Sequence, residues 1–235
     1  PINSSTYQPI NLCVLRGELL YLSSYKNTMV IKINPQCPEI ELIKKAALSL
    51  KEGNPLIFPT DTVYGLGANG IDPGAIRKLF EIKKREETKP FALLIGKRDD
   101  VYKYCKNIPP LFFVLTKRFW PGALTVVMDT LAIVPKELLG EGSGVALRMP
   151  DSKVALALLK QAGVPIAASS ANFSGGIDPA IVDDISDKLM DMVPFVIDGG
   201  RCPGVPSTVV DLRGGVLKIL REGAISAEEI NRVAY

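Results

Sequence analysis

The chain has 235 residues, 47% hydrophobic and 23% charged, with 28 Lys and Arg against 25 Asp and Glu. That is the size and balance of one large globular domain, alone or with a small appendage. A net charge of +3 gives no general argument for a nucleic-acid coat or a membrane surface, so an anionic partner must be met by a local cluster of cations. There is no histidine, which excludes a Ser-His-Asp triad and a Cys-His pair. Cys13, Cys37, Cys105 and Cys202 form no Cys-x-x-Cys and no secreted disulfide pattern, which argues against zinc and for a reducing cytoplasm. No apolar run approaches the ~18–20 residues of a membrane-spanning helix, and no membrane partner is expected. Chemistry must run on Lys, Arg, carboxylates, hydroxyls, backbone amides or a metal carried by the ligand.

Residues 1–28 are rich in Ser, Tyr and Asn and show little helical period. They stand apart from the single domain expected over 29–235, as a leader, a mis-assigned start, an expression remnant or an extension that packs on the domain. Met29–Ile33 is the first predicted strand. From Glu39 to Gly53, apolar Ile40, Leu42, Ile43, Ala46, Ala47 and Leu50 predict an amphipathic helix stopped at Gly53. Leu56–Phe58 predicts a buried strand. Beyond its carboxyl end, Pro59–Gly67 reads as a polar, glycine-ended loop, the place where ligands sit in open α/β sheets. Asp72–Ile82 predicts a helix with Pro73 in its first turn. The run Lys83–Pro90 is expected as a solvated, charged loop at the sheet margin, and Phe91–Ile95 as a strand.

Arg98–Cys105 and Pro109–Phe119 read as short helices. Trp120–Leu124 is a turn, with Trp120 expected in the core or a wall, and Thr125–Met128 a strand. Val145–Arg148 is a strand ending in a cation, and Ser152–Gly163 a helix. Ile166–Ala168 is a strand that opens into Ser169–Gly176, whose hydroxyls, amide and glycines suit a loop around a phosphate. Ile181–Met192 is expected as a helix and Phe195–Asp198 as a strand. A final hairpin pairs the stretch ending at Asp211 with Val216–Leu220. Ala227–Arg232 closes as a helix, with Ser226 and Glu229 in capping-box positions.

Strands alternating with helices, with a terminal hairpin, predict an α/β fold with a mixed sheet. Polar residues stand at several strand ends: Thr60–Thr62, Arg148, Ser170–Asn172, Ser207 and Arg221. Converged, they form a cleft of cations and hydroxyls that suits a polyphosphate. No Gly-x-x-x-x-Gly-Lys-Ser/Thr loop and no Gly-x-Gly-x-x-Gly after a strand is present.

Seven motifs together resemble the YrdC-like family over residues 40–232. They are Pro-Thr-Asp-Thr-Val-Tyr-Gly-Leu-Gly (59–67), Lys-x-Arg (83–85), Trp-Pro-Gly-Ala-Leu-Thr (120–125), Val-Ala-Leu-Arg-Met-Pro (145–150), Ser-Ala-Asn-x-Ser-Gly (170–175), Pro-Ser-Thr-Val-Val-Asp (206–211) and Ile-Leu-Arg-x-Gly (219–223). The resemblance implies a twisted open mixed sheet flanked by helices around a large positively charged cavity. It implies synthesis of L-threonylcarbamoyladenylate from L-threonine, bicarbonate and ATP, with release of pyrophosphate. The product would pass to a transferase that modifies tRNA. Mg2+ would arrive with ATP rather than on protein ligands. An RNA-binding module on the same fold, or a paralogue making another carbamoyl-adenylate, are the alternative readings.

By the same resemblance Lys83 and Arg85 are the catalytic pair. Lys83, Arg85, Lys89, Gly144, Ser170, Asn172 and Arg221 would bind ATP. Thr60, Thr62, Arg148, Ala168 and Ser207 would bind threonine. Lys89 and Leu94 depart from the family pattern, where many relatives carry Asn and His, and Glu86 replaces a common Pro.

Overall fold

The computed structural model describes residues 11–15, 18–22, 28–86, 90–139 and 142–235, the first two segments as backbone. Lys89 and most of residues 1–28 lie outside the described residues. Twelve strands are found among them: β1 Asn11–Leu15, β2 Glu18–Leu22, β3 Met29–Lys32, β4 Leu56–Pro59, β5 Tyr64–Asn69, β6 Ala92–Leu94, β7 Leu124–Asp129, β8 Gly144–Arg148, β9 Ile166–Ser170, β10 Phe195–Asp198, β11 Thr208–Asp211 and β12 Lys218–Arg221. They form one sheet in the order β1-β2-β3-β10-β4-β5-β9-β6-β8-β7-β11-β12. The pairs β3/β10, β10/β4, β6/β8 and β7/β11 are parallel and the remaining neighbours antiparallel. This is the mixed sheet that the alternation predicted.

The helices are α1 Ile40–Lys51, α2 Pro73–Lys83, α3 Val101–Tyr104, α4 Pro110–Phe119, α5 Lys153–Ala162, α6 Asp187–Met190 and α7 Ala227–Ala234. Strand side chains alternate between faces, and the helices cover those faces unequally. Leu56 and Phe58 of β4 pack with Ile43 and Leu50 of α1 and Leu158 of α5. Ile57, between them, belongs to the larger core with Leu79 of α2, Phe112 of α4 and Ile230 of α7. Next to the α1/α5 layer the sheet face carries the small residues Ala92, Ala146 and Ala168, and a cavity opens there.

The structure corrects the sequence reading at three places. Tyr64–Asn69 is an inner strand, paired antiparallel with both β4 and β9, so the polar loop ends at Val63. Its glycines make room for neighbours: a Cβ at Gly67 would lie 2.6 Å from Ile166 Cγ2 and 2.8 Å from Phe58 Cε1. The stretch 181–192 holds a 3-10 turn, Val182–Asp184, and the short α6. There the Asp184 carboxylate accepts from the Ala180 and Ile181 N–H groups at 2.9 and 3.1 Å, the local bonding that competes with a helix. Lys83 is the last residue of α2 and is 1% exposed, so the charged run begins in the interior.

Gly67→Ala is expected to destabilise the chain by about 1–3 kcal/mol, because both clashing side chains are themselves buried. Urea unfolding measures it; an unchanged midpoint would mean that Phe58 and Ile166 give way freely.

Candidate active site

The cavity has a volume of about 490 Å³. Its floor is made by alternate residues of adjacent strands: Ala92 and Leu94 of β6, Ala146 and Arg148 of β8, Thr125 and Val127 of β7, Ala168 and Ser170 of β9. The loop after β4 supplies Thr60 and Thr62 to its walls, the segment before β11 supplies Ser207, and the last residue of β12 is Arg221.

One polar cluster is built on Arg148, the last residue of β8. Its Nε donates to the Gly122 carbonyl at 3.1 Å, Nη1 to Thr62 Oγ1 at 2.9 Å and Nη2 to Asp61 Oδ1 at 2.6 Å. Arg148 is buried and Asp61 half-buried, the two side chains of the ion pair being 8% and 13% exposed. Thr60 Oγ1 lies 2.9 Å from Thr62 Oγ1, donates to the Val63 carbonyl at 2.6 Å and accepts the N–H groups of Thr62 and Val63. The Gly122 carbonyl comes from the Trp120–Leu124 turn, where Trp120 is buried in the core and donates from Nε1 to the Leu124 carbonyl at 2.7 Å.

A second cluster is cationic. Arg221 donates to the Ser207 carbonyl from Nε at 3.3 Å and Nη2 at 2.8 Å, while Ser207 Oγ sits 2.8 Å from Thr125 Oγ1. Arg85 donates to the Pro90 carbonyl at 3.1 Å, and its guanidinium lies over the Phe91 ring at 5.2 Å. Burial, then the charge of Arg221, holds Arg85 below the ordinary guanidinium value. Arg221 is also lowered, by burial first, with Asp178 opposing and Arg148 adding to the fall. These depressions mark cations crowded together at a partly dry site, which an arriving anion relieves.

Lys83 lies beneath this wall and is absent from the lining. Its ammonium donates to the Ser170 carbonyl, to the Asn172 carbonyl at 2.9 Å and to Asn172 Oδ1 at 3.0 Å. All three of its donors are thus engaged. Asn172 Oδ1 also accepts from Ser170 Oγ at 3.0 Å, and Asn172 Nδ2 donates to Asp178 Oδ1 at 3.0 Å. Burial lowers the Lys83 ammonium from 10.5 to about 8, the Arg85 charge adding to the fall and Asp178 opposing it.

Thr60, Thr62, Arg85, Arg148, Ala168, Ser170, Ser207 and Arg221 therefore come together around one cavity. Asn172 supports Ser170 from behind. Gly144 opens β8 outside the lining, packed so that a Cβ would lie 3.0 Å from Val127 Cγ1. Lys89 lies outside the described residues. Leu94, where the family pattern has His, lies in the floor and is 3% exposed. Sequence reasoning passed over Asp178, Ser169 and Thr125, which also line the cavity. Ser169 and Thr125 stood inside quoted stretches. Asp178 follows the last motif residue by three positions and carried no signal of its own.

The sequence model of the Sua5/YciO/YrdC family, described as Telomere recombination, matches residues 49–223. The chain belongs to this family. The threonylcarbamoyl-AMP synthase of Pyrococcus abyssi is 38% identical over 207 residues, 88% of this chain and 61% of the relative. That of Bacillus subtilis is 38% identical over 194 residues, 81% of this chain and 56% of the relative. The chain thus spans little more than half the length of these two relatives. Among solved structures, P. abyssi Sua5 complexed with L-threonine superposes with a TM-score of 0.85 at 38% identity, covering 88% of this chain and 61% of that one. E. coli YciO superposes at 0.80 with 27% identity, covering 86% and 99%. These matches bear out the expected α/β fold, a large twisted mixed sheet flanked by helices.

The Lys83 shift gives stability a pH dependence of known sign. Below pH 8 the lysine holds its proton in both states. Between about 8 and 10.5 the folded chain has released a proton that the unfolded chain still binds, so stability rises with pH across that window. The rise is expected to be about 3 kcal/mol. It is read as the difference in unfolding free energy between wild type and Lys83→Met; a difference that does not change with pH would mean that Lys83 titrates at its ordinary value.

Proposed function

We propose that the chain forms L-threonylcarbamoyladenylate from L-threonine, bicarbonate and ATP, releasing pyrophosphate, as the first step of threonylcarbamoyladenosine formation in tRNA. The observation that carries this reading is the pairing of two unlike clusters in one cavity. Arg148 is already neutralised by Asp61 and stands among hydroxyls, an environment for a small zwitterion. Among the described residues Arg221 hydrogen-bonds only to neutral oxygens of Ser207, and with Arg85 it suits a polyphosphate. The L-threonine bound to the P. abyssi relative supports the first assignment.

The chemistry asks for positioning and charge stabilisation. Once its ammonium has given a proton to solvent, the threonine nitrogen attacks the bicarbonate carbon, and loss of water leaves a carbamate. A carbamate oxygen attacks the α-phosphorus, the bond to the bridging oxygen breaks, and pyrophosphate leaves. Fixed guanidinium groups answer the charge that gathers on the phosphate oxygens. Holding the short-lived carbamate beside the nucleotide supplies the entropic part, about 7–11 kcal/mol in favourable cases. Ser170 and Asn172, gripped by Lys83, form the wall next to Arg85 and Asp178. Among the described residues no three His, Cys, Asp or Glu side chains cluster as metal ligands, and Asp178 is the one carboxylate in the lining. That donor set does not build a resident metal site, and Mg2+ is assigned to the triphosphate itself. The mixed anhydride produced has to be consumed by a transferase acting on tRNA.

Pyrophosphate release should require L-threonine, bicarbonate and ATP together. Arg85→Ala and Arg221→Ala should each lower the rate about 100-fold or more while the thermal midpoint stays near wild type. Release that is indifferent to threonine, or wild-type turnover in either variant, would refute the assignment.

A further inference from the structure

Arg221 ends β12 at the edge of the sheet, where the ladder is interrupted. Val209 pairs with Arg221 and Val210 with Ile219, so Leu220 is an extra residue and the pairing slips where the guanidinium is mounted. The chain beyond supplies a second hold. Thr208 is fully buried, and its hydroxyl spends its one proton on the Ile225 carbonyl. Its two lone pairs take the N–H groups of Gly223 at 2.9 Å and Ile225 at 3.0 Å. Between these, the Ala224 N–H donates to the Pro206 carbonyl at 2.9 Å. The segment after β12 is thus clasped to the segment that opens β11. Gly223 permits the approach: a Cβ there would lie 2.2 Å from the Pro206 oxygen and 2.7 Å from the Ser207 carbonyl carbon and oxygen, all backbone atoms. Ser207, whose carbonyl takes Arg221 Nε and Nη2, is held separately. The Thr208 N–H donates to the Ala123 carbonyl at 2.9 Å, and Ser207 Oγ lies 2.8 Å from Thr125 Oγ1.

We propose that Thr208 is a positioning residue which, by tying Gly223–Ile225 to the start of β11, fixes the end of β12 so that Arg221 presents its guanidinium to the polyphosphate. The Thr208 hydroxyl is enclosed and absent from the cavity lining, so it acts through Arg221 and touches no ligand. The inference rests on ATP being the ligand of Arg221, as in the proposed function. Valine keeps the shape of threonine but leaves two N–H groups and a carbonyl without their partner, which the segment relieves by moving off β11. Arg148 takes its own partners from Gly122, Thr62 and Asp61, none of them in the clasp.

Calorimetric titration of the full chain with ATP and Mg2+, and separately with L-threonine, tests this. Thr208→Val should weaken ATP binding about tenfold and threonine binding by less than about twofold, and Thr208→Ser should restore most of the ATP affinity. In an Arg221→Ala background, Thr208→Val should cost less than about a further twofold in ATP affinity, because the residue it acts through is gone. Gly223→Ala, which opens the same contact and leaves the hydroxyl intact, should reproduce both results. An equal loss of ATP affinity with and without Arg221, an equal loss of threonine affinity, or Thr208→Ser as weak as Thr208→Val would each overturn the proposal. Should Thr208→Val fail to fold, Gly223→Ala in the two backgrounds decides it. If neither folds, the clasp serves the fold alone and the proposal fails. Wild type that binds no ATP would instead remove the proposed function itself.

Discussion

A guanidinium cannot be taken out of water unless its charge and its N–H groups are met, and Arg148 meets that demand with three partners from two separate segments. The turn before β7 gives the Gly122 carbonyl, and the loop after β4 gives Thr62 and Asp61. Removing Asp61 would leave a buried cation without its counter-charge, a loss of about 3–5 kcal/mol where such pairs are broken. The same cost is what keeps the loop and the turn in place before any ligand arrives. The cavity wall is therefore set by folding and need not be organised by binding.

Lys83 applies the same constraint to the other wall. A buried ammonium needs three acceptors, and it finds them on Ser170 and Asn172. Ser170 ends the floor strand β9 and Asn172 follows two positions on. The lysine fixes where the loop leaves the sheet and so where the Ser170 hydroxyl points, while its own charge stays behind the surface. In sequence, Lys83 looks like the start of a solvated basic run. In the fold it is the end of α2, turned inward, while Lys84 takes a left-handed conformation with φ 49° as the chain departs.

Much of the sheet was legible because buried apolar runs bounded by turn residues have few other uses. Leu56–Phe58, Val145–Arg148 and Phe195–Asp198 are of that kind, and the capping box of the last helix was legible too, with the Ser226 side chain accepting the Glu229 N–H. Tyr64–Asn69 was not legible, because glycine usually marks a turn and here marks a site where Phe58 and Ile166 reach across. The polar strand ends did point to the cavity, yet they could not disclose its volume. That volume comes from the small side chains of Ala92, Ala146 and Ala168 meeting on one face, and periodicity reports which residues share a face without saying what covers it. Asp61 was visible beside two threonines, but its partner is 87 positions away.

The distribution of counter-charge decides what each part of the cavity can hold. Three arginines in one space would by themselves favour any anion. Asp61 cancels Arg148 at 2.6 Å, so a carboxylate approaching there gains directional hydrogen bonds and little net Coulomb energy. Asp178 acts on Lys83 and Arg221 through its charge and is held by Asn172. It tempers the cationic wall without closing an ion pair on Arg221 among the described residues. A triphosphate bound against Arg221 would meet a guanidinium whose hydrogen bonds, among the described residues, go to neutral oxygens. A small zwitterion placed there would have its ammonium repelled, whereas beside Arg148 the Asp61 carboxylate offsets that repulsion. On the proposed function, the Arg148–Asp61 pair therefore suits the zwitterion and Arg221 the polyphosphate.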